Sequence, residues 1–177
     1  METYYFLIKS LLTIFLVTLV SVTYAQQNDS CKCCTSAHQQ FDFWKGKWKT
    51  YTPDGKLAGT NQIEKIQDNC ILREDWKSAS GSYSGTSYNY YNQTTKQWEQ
   101  IWIDNQGQNL HLKGGFQTGR MILISDSLTQ SDGGYLINRI TWTPLKQGWV
   151  RQHWETKKDK GEWVTVFDGT YKPVEEE

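Results

Sequence analysis

Proline, methionine and net charge are all scarce in this chain. Its 177 residues include three Pro and two Met, and Lys+Arg and Asp+Glu balance at 19 each, a formal net charge of zero. That balance excludes the basic footprint of a nucleic-acid binder. The densest basic stretch, Lys157-Lys158-Asp159-Lys160, is short and broken by an acid, so it reads as a solvated hairpin tip and not as a polybasic membrane patch. Catalytic signatures are missing as well. There is no Gly-x-Ser-x-Gly, no His-Glu-x-x-His and no glycine-rich phosphate loop, so no catalytic residue and no cofactor are assigned. No stretch carries a helical period over 11 or more residues, which argues against a helical architecture.

The longest apolar run, Leu11 to Val22, has twelve residues. A membrane-spanning helix needs about 20, whereas a signal-peptide core needs about 7 to 15 followed by small residues. Thr23-Tyr24-Ala25 fits that ending. Residues 1–25 are therefore expected to be a cleaved signal peptide, with Gln26 as the mature N-terminus, a secreted or periplasmic location and no stable membrane insertion afterwards.

Export makes disulfides the first reading of Cys31, Cys33, Cys34 and Cys70. Bonds within the cluster of three would close small, strained loops, so the useful bond joins Cys70 to one member of it. Cys34 is the expected partner, with Cys33 as the alternative. A loop of about 36 residues closed this way stabilises by about 3 to 4 kcal/mol in the chain-entropy model. The alternative is a metal site built on Cys-x-Cys-Cys and His38, but its spacing matches no common zinc pattern, and no metal is assigned.

What the chain has in excess is aromatic: nine Trp, ten Tyr and six Phe, 14% of residues. Aromatic and β-branched residues favour pleated, half-buried strands. Residues 26–40 are polar and aperiodic, a lead tethered by the cysteines. Beyond them, β-type segments recur every 8 to 12 residues with turn chemistry between them, such as Pro53-Asp54-Gly55, Asn105-Gln106-Gly107 and Asp132-Gly133-Gly134. That spacing predicts about ten strands, from Lys47–Thr52 to Trp163–Tyr171. Short connections between so many strands favour a closed antiparallel up-and-down barrel, which leaves no exposed edge. Residues 35–44 are the one candidate for a short helix, plugging a barrel end.

The opening Phe41-Asp42-Phe43-Trp44-Lys45-Gly46-Lys47-Trp48 resembles the start of lipocalin-like barrels of the calycin group. Together with Cys70-Ile71-Leu72-Arg73-Glu74-Asp75-Trp76, Gln100-Ile101-Trp102-Ile103-Asp104, Arg139-Ile140-Thr141-Trp142, Val150-Arg151-Gln152-His153-Trp154-Glu155 and Phe167-Asp168-Gly169-Thr170-Tyr171, it resembles an uncharacterised family of exported bacterial proteins over residues 41–173. The resemblance implies a lipocalin-like all-β barrel with a cavity that commonly holds a small apolar ligand, and carries over no catalytic residue. Nitrobindin-type barrels, which hold haem through a His, start similarly, but neither His111 nor His153 sits in a matching motif.

Alternation sorts strand residues by face. Leu72, Glu74 and Trp76 share one face, as do Trp98, Gln100 and Trp102, while Arg139 lies with Thr141 and Arg151 opposes Gln152. The cavity candidates are Glu74, Trp76, Asn89, Gln100 and Trp102, joined by Arg139 and by either Arg151 or Gln152. An inward arginine would present a fork to a ligand carboxylate, so an amphipathic acid is the expected ligand. Two alternatives accompany this binding module: a barrel enzyme with isomerase- or cyclase-like acid-base chemistry, and a barrel filled by its own Trp side chains, with Arg139 and Glu74 as a buried structural pair.

Overall fold

The computed structural model describes residues 31–174, so the expected signal peptide at 1–25 lies outside the described residues. Eleven strands follow the predicted spacing closely: β1 (Gly46–Tyr51), β2 (Leu57–Ile66), β3 (Ile71–Ser78), β4 (Ser84–Asn92), β5 (Gln97–Asp104), β6 (Asn109–Gln117), β7 (Arg120–Ser125), β8 (Leu128–Thr129), β9 (Tyr135–Pro144), β10 (Val150–Lys158) and β11 (Trp163–Pro173). Every pairing is antiparallel. β1 to β7 run in chain order, β7 pairs with β9, β9 with β10, β10 with β11, and β11 returns to β1, closing a ten-stranded barrel. The extra strand β8 pairs with the start of β9 through Leu128↔Leu136, beyond the Ile124↔Arg139 pair that ends β7. It thus prolongs the line of β7 after a break at Asp126 and Ser127.

The turns do what their residues dictate. At Pro53-Asp54-Gly55 the Gly55 amide donates to Thr52 O at 2.9 Å and Gly55 takes a φ of 83°, a conformation free of side-chain clash only for glycine.

One barrel end is plugged by the segment before β1. A single helical turn, α1 (Ser36–Gln39), leads into a 3₁₀ turn over Asp42–Trp44. Phe41 and Trp44 are fully buried and stack with ring centroids 5.0 Å apart, and both meet Trp142, at 5.1 and 5.3 Å. The indole of Trp98 donates to Ala37 O at 3.2 Å, that of Trp48 to Trp44 O at 2.9 Å. Lys65 ties the same segment down, donating to His38 O at 3.0 Å and pairing with Asp42 at 2.6 Å. The Phe-x-Phe-Trp signature is therefore the plug and its seal.

A disulfide fastens this plug, and it joins Cys33, not Cys34, to Cys70. The chain turns at Lys32-Cys33, and Cys33 is the buried member while Cys34 is exposed. Cys31 and Cys34 are disulfide-bonded as well, so no described cysteine is free.

Candidate functional site

The opposite end of the barrel stays open. A cavity of about 280 Å³ enters there, walled by Trp76 from β3, Trp102 from β5, Trp154 from β10 and Phe167 from β11. Val166, 49% exposed, stands on its rim, so the cavity communicates with solvent. This space counts against a barrel filled by its own side chains.

The lumen is open because the rings lie against the wall. Trp76 packs over Gly59 of β2, where an added Cβ would sit 2.7 Å from the ring, and Trp102 packs over Gly85 of β4, where it would sit 2.2 Å away. Glycine inside a strand marks such a close approach. An added Cβ would also sit 2.3 Å from Lys77 O at Gly59 and 2.9 Å from Ile103 O at Gly85, so another residue at either position displaces both the indole and the neighbouring strand.

Beneath the aromatic walls runs a belt of polar side chains donated by six strands. Asn61 of β2 donates to Glu74 Oε1 at 2.7 Å, and Ser87 of β4, directly opposite Glu74 in register, donates to Oε2 at 2.6 Å. Ser87 accepts from Asn89 at 2.9 Å, and Asn89 accepts from Gln100 of β5 at 2.8 Å. In the other direction, Asn61 reaches the Tyr171 hydroxyl of β11 at 3.4 Å, and that hydroxyl donates to Gln152 of β10. Glu74, Gln100, Gln152 and Tyr171 reach the cavity surface from this belt.

Glu74 is the anomalous member. It is 4% exposed, and burial pushes its carboxyl up to about 7 against the opposing pull of the Ser87 and Asn61 hydrogen bonds. No lysine, arginine or histidine is among the described residues lining the cavity. Burial, with Glu74 nearby, holds the Tyr171 phenol well above its usual value, so it stays a neutral donor.

Of the residues expected in the cavity, Glu74, Trp76, Gln100, Trp102 and Gln152 line it. Asn89 lies behind them, fully buried, donating to Leu72 O at 3.0 Å. The two arginines are elsewhere. Arg139 is on the outer wall, donating through Nε and Nη2 to Glu155 Oε2 at 3.1 and 2.9 Å and stacking over Trp163 at 4.0 Å. Arg151 forks onto Asp168 at 2.7 and 2.6 Å, also outside, opposite inward Gln152. Among the described residues lining the cavity an inward arginine would find no carboxylate but Glu74, whereas outside each cation has a cross-strand partner and water. The Arg139–Glu74 pair does not form, and the expectation of an acidic ligand loses its support.

Asn61, Ser87, Trp154, Phe167 and Tyr171 complete the site but were not among the candidates. Trp154 had a legible signal, since it alternates with Gln152 opposite a charged face of Arg151, His153 and Glu155. Asn61 had none, because a lone amide in a strand reads equally well as solvent-facing. Among the described residues no helix is long and apolar enough to cross a membrane. Compared with family models and with curated proteins, the chain matches none.

Proposed function

We propose that this protein is an exported, lipocalin-like carrier that binds a small apolar or amphipathic molecule in its barrel lumen. The observation that carries the reading is the solvent-connected aromatic cavity of about 280 Å³, just below the range of about 300 to 1,000 Å³ for ligand sites, which are concave, mostly apolar and furnished with few polar groups. Glu74, Gln100 and Gln152 are the orienting groups, and Trp76, Trp102 and Trp154 the walls. Export is supported by the apolar run at Leu11–Val22 and by cysteines that are oxidised, a state rare in the cytosol. The test is native mass spectrometry of protein purified from its own host. A co-purifying small molecule is expected, released by organic solvent. Bare protein that also binds nothing from a panel of small aromatic and aliphatic compounds overturns the reading.

A second reading rests on Glu74 alone. A carboxyl held near neutrality in an apolar pocket is suited to general acid-base work, as an isomerase-type barrel would require. Exchange of the α-protons of a small cyclic ketone into heavy water, dependent on Glu74, would support it; exchange no faster than in Glu74→Gln protein counts against it.

A further inference from the structure

The charge inventory of the lumen narrows the ligand. Among the described residues that line it there is one carboxyl, Glu74, and no basic side chain. An uncompensated carboxylate in a low-dielectric site costs several kcal/mol. Such a group either stays protonated or receives a cation, and no described side chain supplies one.

Hydrogen-bonding capacity leans the same way. An ionised carboxylate has about four acceptor sites, and each Glu74 oxygen receives one protein donor. An ionised Glu74 therefore has acceptor sites to spare, and what complements it is a group rich in donors. An alkylammonium offers three donors and no acceptor. The walls agree, since the faces of Trp76, Trp102 and Trp154 carry negative quadrupole charge that attracts a cation, indole most strongly. A ligand carboxylate would meet Glu74 with no positive charge between them and is repelled.

Resting on the reading of this cavity as a ligand site, we propose that it selects small amines: an ammonium head against Glu74, with an apolar body between Trp76, Trp102 and Trp154. Binding then carries a proton signature. Below pH 7 the neutral Glu74 acid must ionise to pair with the ammonium, so its proton passes to the buffer as the amine enters.

Three probes of matched shape test this on the full chain by isothermal titration calorimetry at pH 8: phenethylamine, 2-phenylethanol and 3-phenylpropionate. The expected result is an amine bound at least about tenfold tighter than the alcohol, with the carboxylate weakest. In Glu74→Gln the amine and alcohol should converge to within about twofold. A measurement on the unaltered protein does not depend on that variant folding: at pH 6, amine heats in two buffers of different ionisation enthalpy should reveal proton release approaching one per ligand, and alcohol heats none. Alcohol and amine binding alike, or a carboxylate preference, overturns amine selection while leaving the cavity as a binding site, and amine binding without proton release overturns the raised titration of Glu74. Binding of none of the three overturns the binding reading as well.

Discussion

Ser87 and Glu74 face each other across β4 and β3 in direct register, and the serine hydroxyl donates to the carboxyl at 2.6 Å inside the barrel. Even with this bond and the one from Asn61, burial leaves Glu74 titrating near pH 7, against an ordinary value of 4.5.

That shift links folding to pH. A carboxyl whose folded value is raised holds its proton in the native state at pH values where the unfolded chain has released it, so it favours folding at low pH. This contribution is fully present below about 4.5 and is lost as pH rises through about 7. Its size is about 3 kcal/mol at one pKa unit per 1.36 kcal/mol. Melting temperature plotted against pH should therefore fall between 4.5 and 7 more steeply in the wild type than in Glu74→Gln. Parallel curves would show that Glu74 titrates as a solvated carboxyl.

Removing the Cys33–Cys70 bond should release the plug. The bond spans 37 residues, and the Cys33→Ser/Cys70→Ser double variant is expected to lose about 3 to 4 kcal/mol in urea unfolding. Peptide mapping under non-reducing conditions checks the pairing itself: a Cys34–Cys70 peptide would contradict it.

The glycine that keeps Trp102 against the wall makes a sharper test. In Gly85→Ala the new methyl carbon would lie 2.2 Å from the indole and 2.9 Å from Ile103 O, so the ring must leave its place against the wall. Ligand affinity should fall by at least about tenfold, the effect of losing one well-placed hydrophobic or aromatic contact. Gly115→Ala is the control, because nothing lies within 4 Å of its added carbon and the change should alter stability by no more than about 1 kcal/mol. Equal binding by both variants would show that the Trp102 ring does not border the ligand.

Arg139 separates wall from lumen. Its partner Glu155 is on the outer face and the pair is partly exposed, with side-chain exposures of 30% and 15%, so Arg139→Met should cost about 1 kcal/mol or less and leave ligand affinity unchanged. A loss of affinity would place the guanidinium at the ligand.

The strands were legible because their boundaries are written locally. Turn residues such as Pro53-Asp54-Gly55 specify a backbone shape within four residues, and antiparallel neighbours joined by such turns pair with each other. Which face turns inward is a different matter, since alternation separates two sets without naming the inner one. Ile140 and Trp142, both opposite Arg139 and both buried, carried that information, and a comparison of the two faces of β9 would have placed Arg139 outside. The choice between Cys33 and Cys34 depends on the path of the lead, which spacing alone does not encode. Gly59 and Gly85 stood inside predicted strands as visible marks of close approach; the indoles covering them come from neighbouring strands, Trp76 from β3 and Trp102 from β5, so the pairing becomes visible only once register is known. Asn61 and Ser87 stayed hidden for the same reason, because their role is to face Glu74 from adjacent strands.

The central claim is that a ligand enters the lumen from the open end. Two-dimensional NMR of the indole N–H groups during titration with phenethylamine and with 2-phenylethanol tests it most directly. The account predicts that Trp76, Trp102 and Trp154 shift in a saturable way with at least one probe. Trp48 and Trp98, whose N–H groups are committed to Trp44 O and Ala37 O in the plug, should hold their positions. Shifts confined to the outer-wall Trp163 or to the plug indoles, or none at saturating probe, would contradict it.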